Sequence, residues 1–287
     1  MTSQILRTDG LVLRNLRYGD TSRVATLLTA ELGKISVIGK GVREPKSPLG
    51  SSLELFARAE YVVYFRSGRN LQMLRSGDVI EPHSALARET FRFVYGSAVV
   101  EFLDRMLLEE EPSPPLYALV LRVLARLETT RRSRVNEVFR AFQLRAASIL
   151  GYALLLDGCL HCDRSLDEAA FAPLDPSERG EIWLFRPSEG GALCSDCARL
   201  VESGYPLTVR ALLRIRSMVR SEPTGANLPS SERARGAVDE EADDRRQEAE
   251  FRWGEALEQI VESFLHFHVE RYRGLRSLRS QLPAPQR

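Results

Sequence analysis

The chain has 287 residues, 44% hydrophobic and 28% charged, the make-up of a soluble globular protein with one large domain or two smaller ones. That excludes a wholly disordered or collagen-like chain. No apolar run approaches the roughly 18 residues that span a bilayer, and the opening MTSQILRTDG is not a secretory signal, so neither a membrane partner nor export is expected. The net charge of +1 hides an asymmetry: residues 1–80 carry 12 Lys and Arg against 7 Asp and Glu, and residues 81–287 carry 28 against 32. All three lysines, Lys34, Lys40 and Lys46, stand in one 13-residue window. Such a patch is what a polyanion would meet. Charge by itself points no further than an ordinary solvated surface.

The first 80 residues read as five short strands, at 4–14, 23–30, 34–39, 53–65 and 70–75. From Leu53 to Phe65 the odd positions are Leu, Leu, Ala, Ala, Tyr, Val and Phe, while Glu54, Arg58 and Glu60 stand between them. That alternation marks a half-buried strand or hairpin arm. Turn residues separate the runs, as in Tyr18-Gly19-Asp20, Leu32-Gly33 and Ser67-Gly68. A five-stranded barrel of the OB type fits this size, and an SH3-like barrel fits the same pattern.

The texture changes after Pro82. Ser84 is placed to cap a helix reaching about Leu108, with Phe91, Val94, Tyr95, Ala98, Val99 and Phe102 at helical spacing. Pro112, Pro114 and Pro115 interrupt it, and a second helix carries Leu116, Leu119, Val120, Val123, Leu124 and Leu127. Ser133 is placed to cap a third, to about Leu155, and further helices are expected at 208–220 and 251–273. Between those two, residues 221–250 hold 9 acidic and 4 basic residues and almost no large apolar side chain. They read as a flexible acidic insertion, unable to bury enough to offset ordering. The expected fold is therefore α+β: a small β-barrel over 1–80, then a helical domain over 81–287.

Four cysteines, Cys159, Cys162, Cys194 and Cys197, form two Cys-x-x-Cys pairs. Four thiolates match the tetrahedral preference of zinc, each pair presenting two sulfurs to one ion. Gly190-Gly191 before the second pair and a strand-like Ile182–Phe185 give segment 156–200 the texture of a zinc ribbon. The 31 residues between the pairs exceed the usual spacer, but loop closure cost rises slowly with length. Two disulfides fit a reducing compartment poorly, and a redox-active pair wants a βαβ context. One structural Zn2+ is the expected cofactor. Four protein ligands leave no open position for metal-assisted catalysis. His161, His266 and His268 are not expected to bind metal.

No catalytic motif is present. Gly33 to Gly41 is too long by one residue for a phosphate loop, and Gly41 stands where a magnesium-binding hydroxyl belongs. No enzyme activity is expected. On a small barrel, the Gly39-Lys40-Gly41-Val42-Arg43 turn has another use: glycines let amides approach a phosphate, and Lys40, Arg43 and Lys46 supply charge. Arg66 and Arg69 flank another turn. Tyr18 is a candidate stacking platform, while Tyr61 and Phe65 read as core.

These residues, in order, resemble the bacterial RecO family of recombination mediators. The similarity is carried by Thr8-Asp9-Gly10-Leu11-Val12-Leu13, Tyr18-Gly19-Asp20, Leu27-Leu28-Thr29, Gly33-Lys34, Gly39-Lys40-Gly41, Lys46-Ser47, Gly50 and Leu55-Phe56. It continues through both cysteine pairs to Phe264-Leu265-His266-Phe267-His268 and Leu275-Arg276-Ser277. The resemblance implies an N-terminal OB-fold, a helical domain with a zinc-bearing segment, and a cytoplasmic, nucleoid-associated protein. It implies binding of single- and double-stranded DNA, ATP-independent strand annealing, and work with RecR to load RecA onto DNA coated with single-stranded DNA-binding protein, with RecF as a further partner. The coating protein's acidic tail would meet the helical domain, at Arg126, Arg131 and Arg132 or at Arg210 and Arg214. Phosphates would meet Lys34, Lys40, Arg43, Lys46, Arg66 and Arg69. Two departures stand out: Glu44 follows Arg43 where the family often has adjacent arginines, and the acidic insertion is long. A rival class is a zinc-ribbon protein-interaction or regulatory module without annealing activity; a third is a redox enzyme using one cysteine pair.

Overall fold

The computed structural model describes residues 4–44, 47, 49–167, 181–220, 240–270 and 272–279. Its first strand, β1 (Gln4–Tyr18), is long enough to serve two neighbours. The half up to Leu11 pairs with β4 (Arg58–Phe65), and the half from Gly10 onward pairs with β2 (Ser22–Thr29). A register shift between Val12 and Arg14 bends the strand between these duties. With β3 (Gly33–Gly39) and β5 (Gln72–Glu81), the sheet closes in the order β1-β2-β3-β5-β4, with β3 and β5 parallel. This is an OB-like barrel. Val12, Ala25, Leu27, Ile35, Val37, Ala59, Tyr61 and Val63 fill it.

The fourth strand starts later than the alternation predicts. Residues 51–53 form a 3-10 turn, and Phe56 sits at φ +71°, which no strand allows. That twist carries the Phe56 ring out of the barrel, edge-on to Phe93 at 5.9 Å. Ser84 likewise opens a 3-10 turn rather than a helix; α1 (Thr90–Met106) begins six residues on. α2 (Pro114–Thr129) starts with prolines in its first turn, where they cost no hydrogen bond.

The barrel ends at Glu81, but the compact unit built on it runs from Met1 to Val135 and takes in the chain from Leu275 on. Polar clamps join the barrel to the segments that follow it within this unit. Arg58 and the Tyr117 hydroxyl both bond Asp9, at 2.6 and 2.8 Å, joining β4, β1 and α2. Gly33 has φ +69°, and a Cβ there would lie 2.4 Å from the Glu111 backbone. Glu101 on α1 accepts the Arg276 and Ser277 amides, both at 2.9 Å, where the short final helix Arg276–Arg279 begins.

The second unit spans Asn136–Gly274. α3 (Val135–Ile149) leads into it and stops short of the expected Leu155, because Gly151 turns the chain at φ +95°. There follow β6 (Leu155–Cys159), β7 (Ile182–Arg186), β8 (Gly191–Leu193), the single turn α4 (Ser195–Ala198) and β9 (Tyr205–Thr208), with sheet order β6-β8-β7-β9. α5 (Val209–Arg220) and α6 (Glu240–His268) complete it. Two expectations change here. Residues 221–239 of the acidic insertion lie outside the described residues, while 240–250 are helical, so the last helix begins eleven residues early. Glu, Ala, Arg and Gln are strong helix formers, and this outweighs their lack of apolar bulk. The same helix ends at His268, not 273. Arg140 ties α3 to α6: 1% exposed, it pairs with Glu258 and Glu262, and the Tyr272 hydroxyl also bonds Glu262.

Candidate metal centre and nucleic-acid interface

The sheet of the second unit brings the cysteine pairs together. Cys159 ends β6 and stands in register with Ala192 of β8, so the turn after β6 and the turn after β8 emerge side by side. Gly191 permits this: a Cβ there would lie 2.8 Å from the Leu155 carbonyl and 2.6 Å from the Leu160 side chain. Leu160 donates to the Ala192 carbonyl at 2.9 Å, and Cys194 precedes α4, which carries Cys197.

One Sγ from each of the four cysteines lies within 4.8 Å of the others. Cys162 Sγ and Cys194 Sγ are 3.7 Å apart, far too long for a disulfide. A zinc–sulfur bond of about 2.3 Å gives a tetrahedron edge of about 3.8 Å, so the spacing is that of ligands around one ion. Cys159 and Cys194 are buried and Cys162 is exposed. The Cys194 amide donates to Cys159 Sγ at 3.3 Å. Burial opposes the Cys159 thiolate, yet amides of Cys194, His161 and Cys162 outweigh it and draw the group down to about 6. Partial burial and the other three sulfurs push Cys197 up to about 12. Four thiolates cannot stand this close without a cation among them. The donor set therefore fits Zn2+ held by all four cysteines, a closed structural site.

The long spacer is pinned at its base. Arg164 makes a two-pronged bond to Glu181, at 2.8 and 3.0 Å, and the Ser195 hydroxyl donates to the same carboxylate at 2.8 Å. Residues 168–180, between those anchors, lie outside the described set. His161 and His266 are exposed, and His268 Nε2 lies 2.8 Å from the Pro187 carbonyl oxygen.

On the barrel, the basic candidates separate. Lys34 is withdrawn from the surface: it is 9% exposed, and its ammonium donates to the Asp104 carbonyl at 2.7 Å. Its neighbour Gly33 seats on the Glu111 backbone, so this pair of motif residues fastens β3 to the end of α1 rather than facing a phosphate. Lys46 lies outside the described residues. Lys40 and Arg43 are exposed beside the β1–β2 turn, where the Arg43 guanidinium donates to the Asp20 carbonyl at 3.0 Å. Tyr18, 60% exposed, begins that same turn. Arg66 and Arg69 are exposed in the β4–β5 turn, which the Gln72 amide braces through the carbonyls of both.

The strand also exposes what the motif reading passed over. Arg14, Leu16 and Tyr18 alternate along β1 and all face solvent, with Arg17 exposed between them. A cation, an apolar side chain and an aromatic ring in one row suit a single strand's phosphates and bases. Period-two reading of 14–18 would have found it.

Among the other arginines, Arg131, Arg132 and Arg210 are exposed and Arg126 is half-buried. Arg214 is not available: it pairs with Glu137 at 2.7 Å and lies over the Trp253 ring at 4.5 Å. Arg126, Arg131 and Arg132 belong to the first unit and Arg210 to the second.

Comparison with known proteins agrees along most of the chain. Residues 1–83 match the family described as recombination protein O N terminal, and 88–279 match recombination protein O C terminal. A DNA repair protein RecO of Streptomyces avermitilis is 31% identical over 96% of this chain and 98% of its own. One from Anaeromyxobacter dehalogenans strain 2CP-C is 32% identical over 81% and 88%. That of Salinibacter ruber is 38% identical over 53% of this chain, and this match spans 58% of the Salinibacter protein. Among the described residues no helix is long and apolar enough to cross a membrane.

Proposed function

Because the chain belongs to the recombination protein O family, we propose that it is a DNA-binding mediator of RecF-pathway recombinational repair without catalytic activity of its own. It binds single- and double-stranded DNA, anneals complementary strands without ATP, and helps load RecA onto DNA coated with single-stranded DNA-binding protein, together with RecR. The observation that carries this reading is the closed barrel with an exposed row of Arg14, Leu16 and Tyr18 beside Lys40 and Arg43. Arginines and lysines there neutralise phosphates, and the ring of Tyr18 stacks on a base. Glu44 is exposed next to Arg43 and trims this patch without closing it. The acidic tail of the coating protein meets a helical-domain arginine cluster, for which the exposed residues are Arg131 and Arg132, or Arg210. Zinc holds the cysteine-bearing sheet and takes no part in chemistry.

The test is to coat two complementary strands with the cognate single-stranded DNA-binding protein and time duplex formation without ATP. Addition of the chain is expected to accelerate annealing, and addition of RecR to support subsequent RecA loading. No acceleration by a folded, metal-replete chain, with or without RecR, would leave the protein-interaction module as the better reading.

A further inference from the structure

A second cluster of metal-ligating groups lies in the first unit, where the chain leaves the barrel. Glu81 is the last residue of β5, Glu128 lies in the last turn of α2, and His83 stands between the barrel and α1. His83 is 2% exposed and holds the left-handed conformation at φ +44°, uncommon for a residue with a side chain. Its Nδ1 is 3.5 Å from Glu128 Oε2 and its Nε2 is 3.6 Å from Glu81 Oε2. Neither ring nitrogen has a hydrogen-bond partner among the described residues. Buried polar atoms are ordinarily satisfied, so an imidazole buried between two carboxylates with both nitrogens unmatched calls for an explanation.

We propose that Glu81, His83 and Glu128 form a binding site for a divalent transition-metal cation. One donor atom from each residue lies within 4.8 Å of the others. Spans of 3.5 and 3.6 Å are too long for N–H···O hydrogen bonds. Either span taken singly is close to the edge, about 3.4 Å, that two ligands keep around an ion bound at about 2.1 Å. The spans start from different ring nitrogens, so one ion takes one nitrogen with its near carboxylate, and the second carboxylate, its donor within 4.8 Å of the others, swings toward it. Charge agrees: a dication balances the two carboxylates. Imidazole and carboxylate donors without thiolate favour Zn2+ or Mn2+, and three protein ligands leave a position for water. The site braces the end of β5 against α2. It shares no residue with the cysteine cluster, and its harder donor set predicts weaker, exchangeable binding.

The full chain, first loaded with one equivalent of Zn2+ at the cysteines, is dialysed against low-micromolar Zn2+ and its metal content measured. Wild type is expected to reach two equivalents. His83→Asn, which keeps a residue that tolerates the left-handed conformation, and Glu128→Gln are each expected to stay at one. Added Zn2+ should raise the melting temperature of wild type and leave both variants unmoved. Far-UV circular dichroism and the retained first equivalent check that the variants fold, and either folded variant suffices. A wild type that stops at one equivalent overturns the site and leaves His83 as a packed imidazole beside two carboxylates. Variants that still take the second equivalent overturn it too, since the ion then sits elsewhere.

Discussion

The barrel and the cysteine-bearing sheet are both small and β-built, yet they are held in different ways. In the barrel, five strands share a closed ladder, and its interior is packed by residues such as Val12, Leu27 and Val37, all 0% exposed. Every strand has two neighbours, although β3 and β5 meet over only two residue pairs, so little edge is left to satisfy. The other sheet has four short strands, one of only three residues, and its two turns converge on four sulfurs. So little apolar area is enclosed by strands of this length that a cation is the natural fourth wall. One region carries its stability along the whole chain; the other concentrates it at a point. That difference leaves the barrel's outer face open and gathers the second sheet's donors at one point.

The largest expected effect breaks the contrast directly. Cys194→Ser, or zinc removal by a chelator, should cost the second unit on the order of several kcal/mol. Far-UV circular dichroism should show loss confined to part of the signal, with the barrel's melting transition retained; loss of the barrel transition as well would contradict the separation. Next comes Gly33→Ala. It places a Cβ at φ +69° against the Glu111 backbone, for about 2 kcal/mol of destabilisation, and should lower only the first unit's transition, with metal content unchanged. The smallest is a pH effect. Burial would raise the Glu101 carboxyl, but the Ser277 hydroxyl, the amides of Ser277 and Arg276, and Arg105 hold it below the usual carboxylate range. A group lowered in the folded state stabilises above its unfolded pKa, near 4.3, and that contribution fades as pH falls through the folded value. Glu101→Gln should therefore flatten the first unit's melting temperature between about pH 5 and 3; parallel curves for the two proteins would refute it.

The barrel was legible because its cues are local. Alternation along Leu53–Phe65 and glycine-marked turns give strand number and order of appearance. The cysteine site was legible for the same reason, since two residues of a Cys-x-x-Cys pair reach one ion by their spacing alone. What sequence missed depends on partners far along the chain. Lys34 reads as a surface cation until Asp104, 70 residues on, claims its ammonium. Arg214 reads as a candidate for an acidic tail until Glu137 and Trp253 take it. Phe56 breaks its strand because α1 offers Phe93 to pack on. His83 drew no attention at all, since Glu128 lies 45 positions away and only the fold sets it beside the ring.

The proposed function requires the barrel's outer face to be an electrostatic nucleic-acid surface. The most direct test measures single-stranded DNA binding by the full chain across a range of salt, for wild type and for a Lys40→Ala/Arg43→Ala double variant. Each phosphate contact contributes about 0.7 to the slope of log affinity against log salt for single strands. A steep wild-type slope is expected, with a variant slope shallower by about 1.4 and weakening that is equal across unrelated sequences. Identical slopes for the two proteins, or a wild-type affinity indifferent to salt, would contradict it.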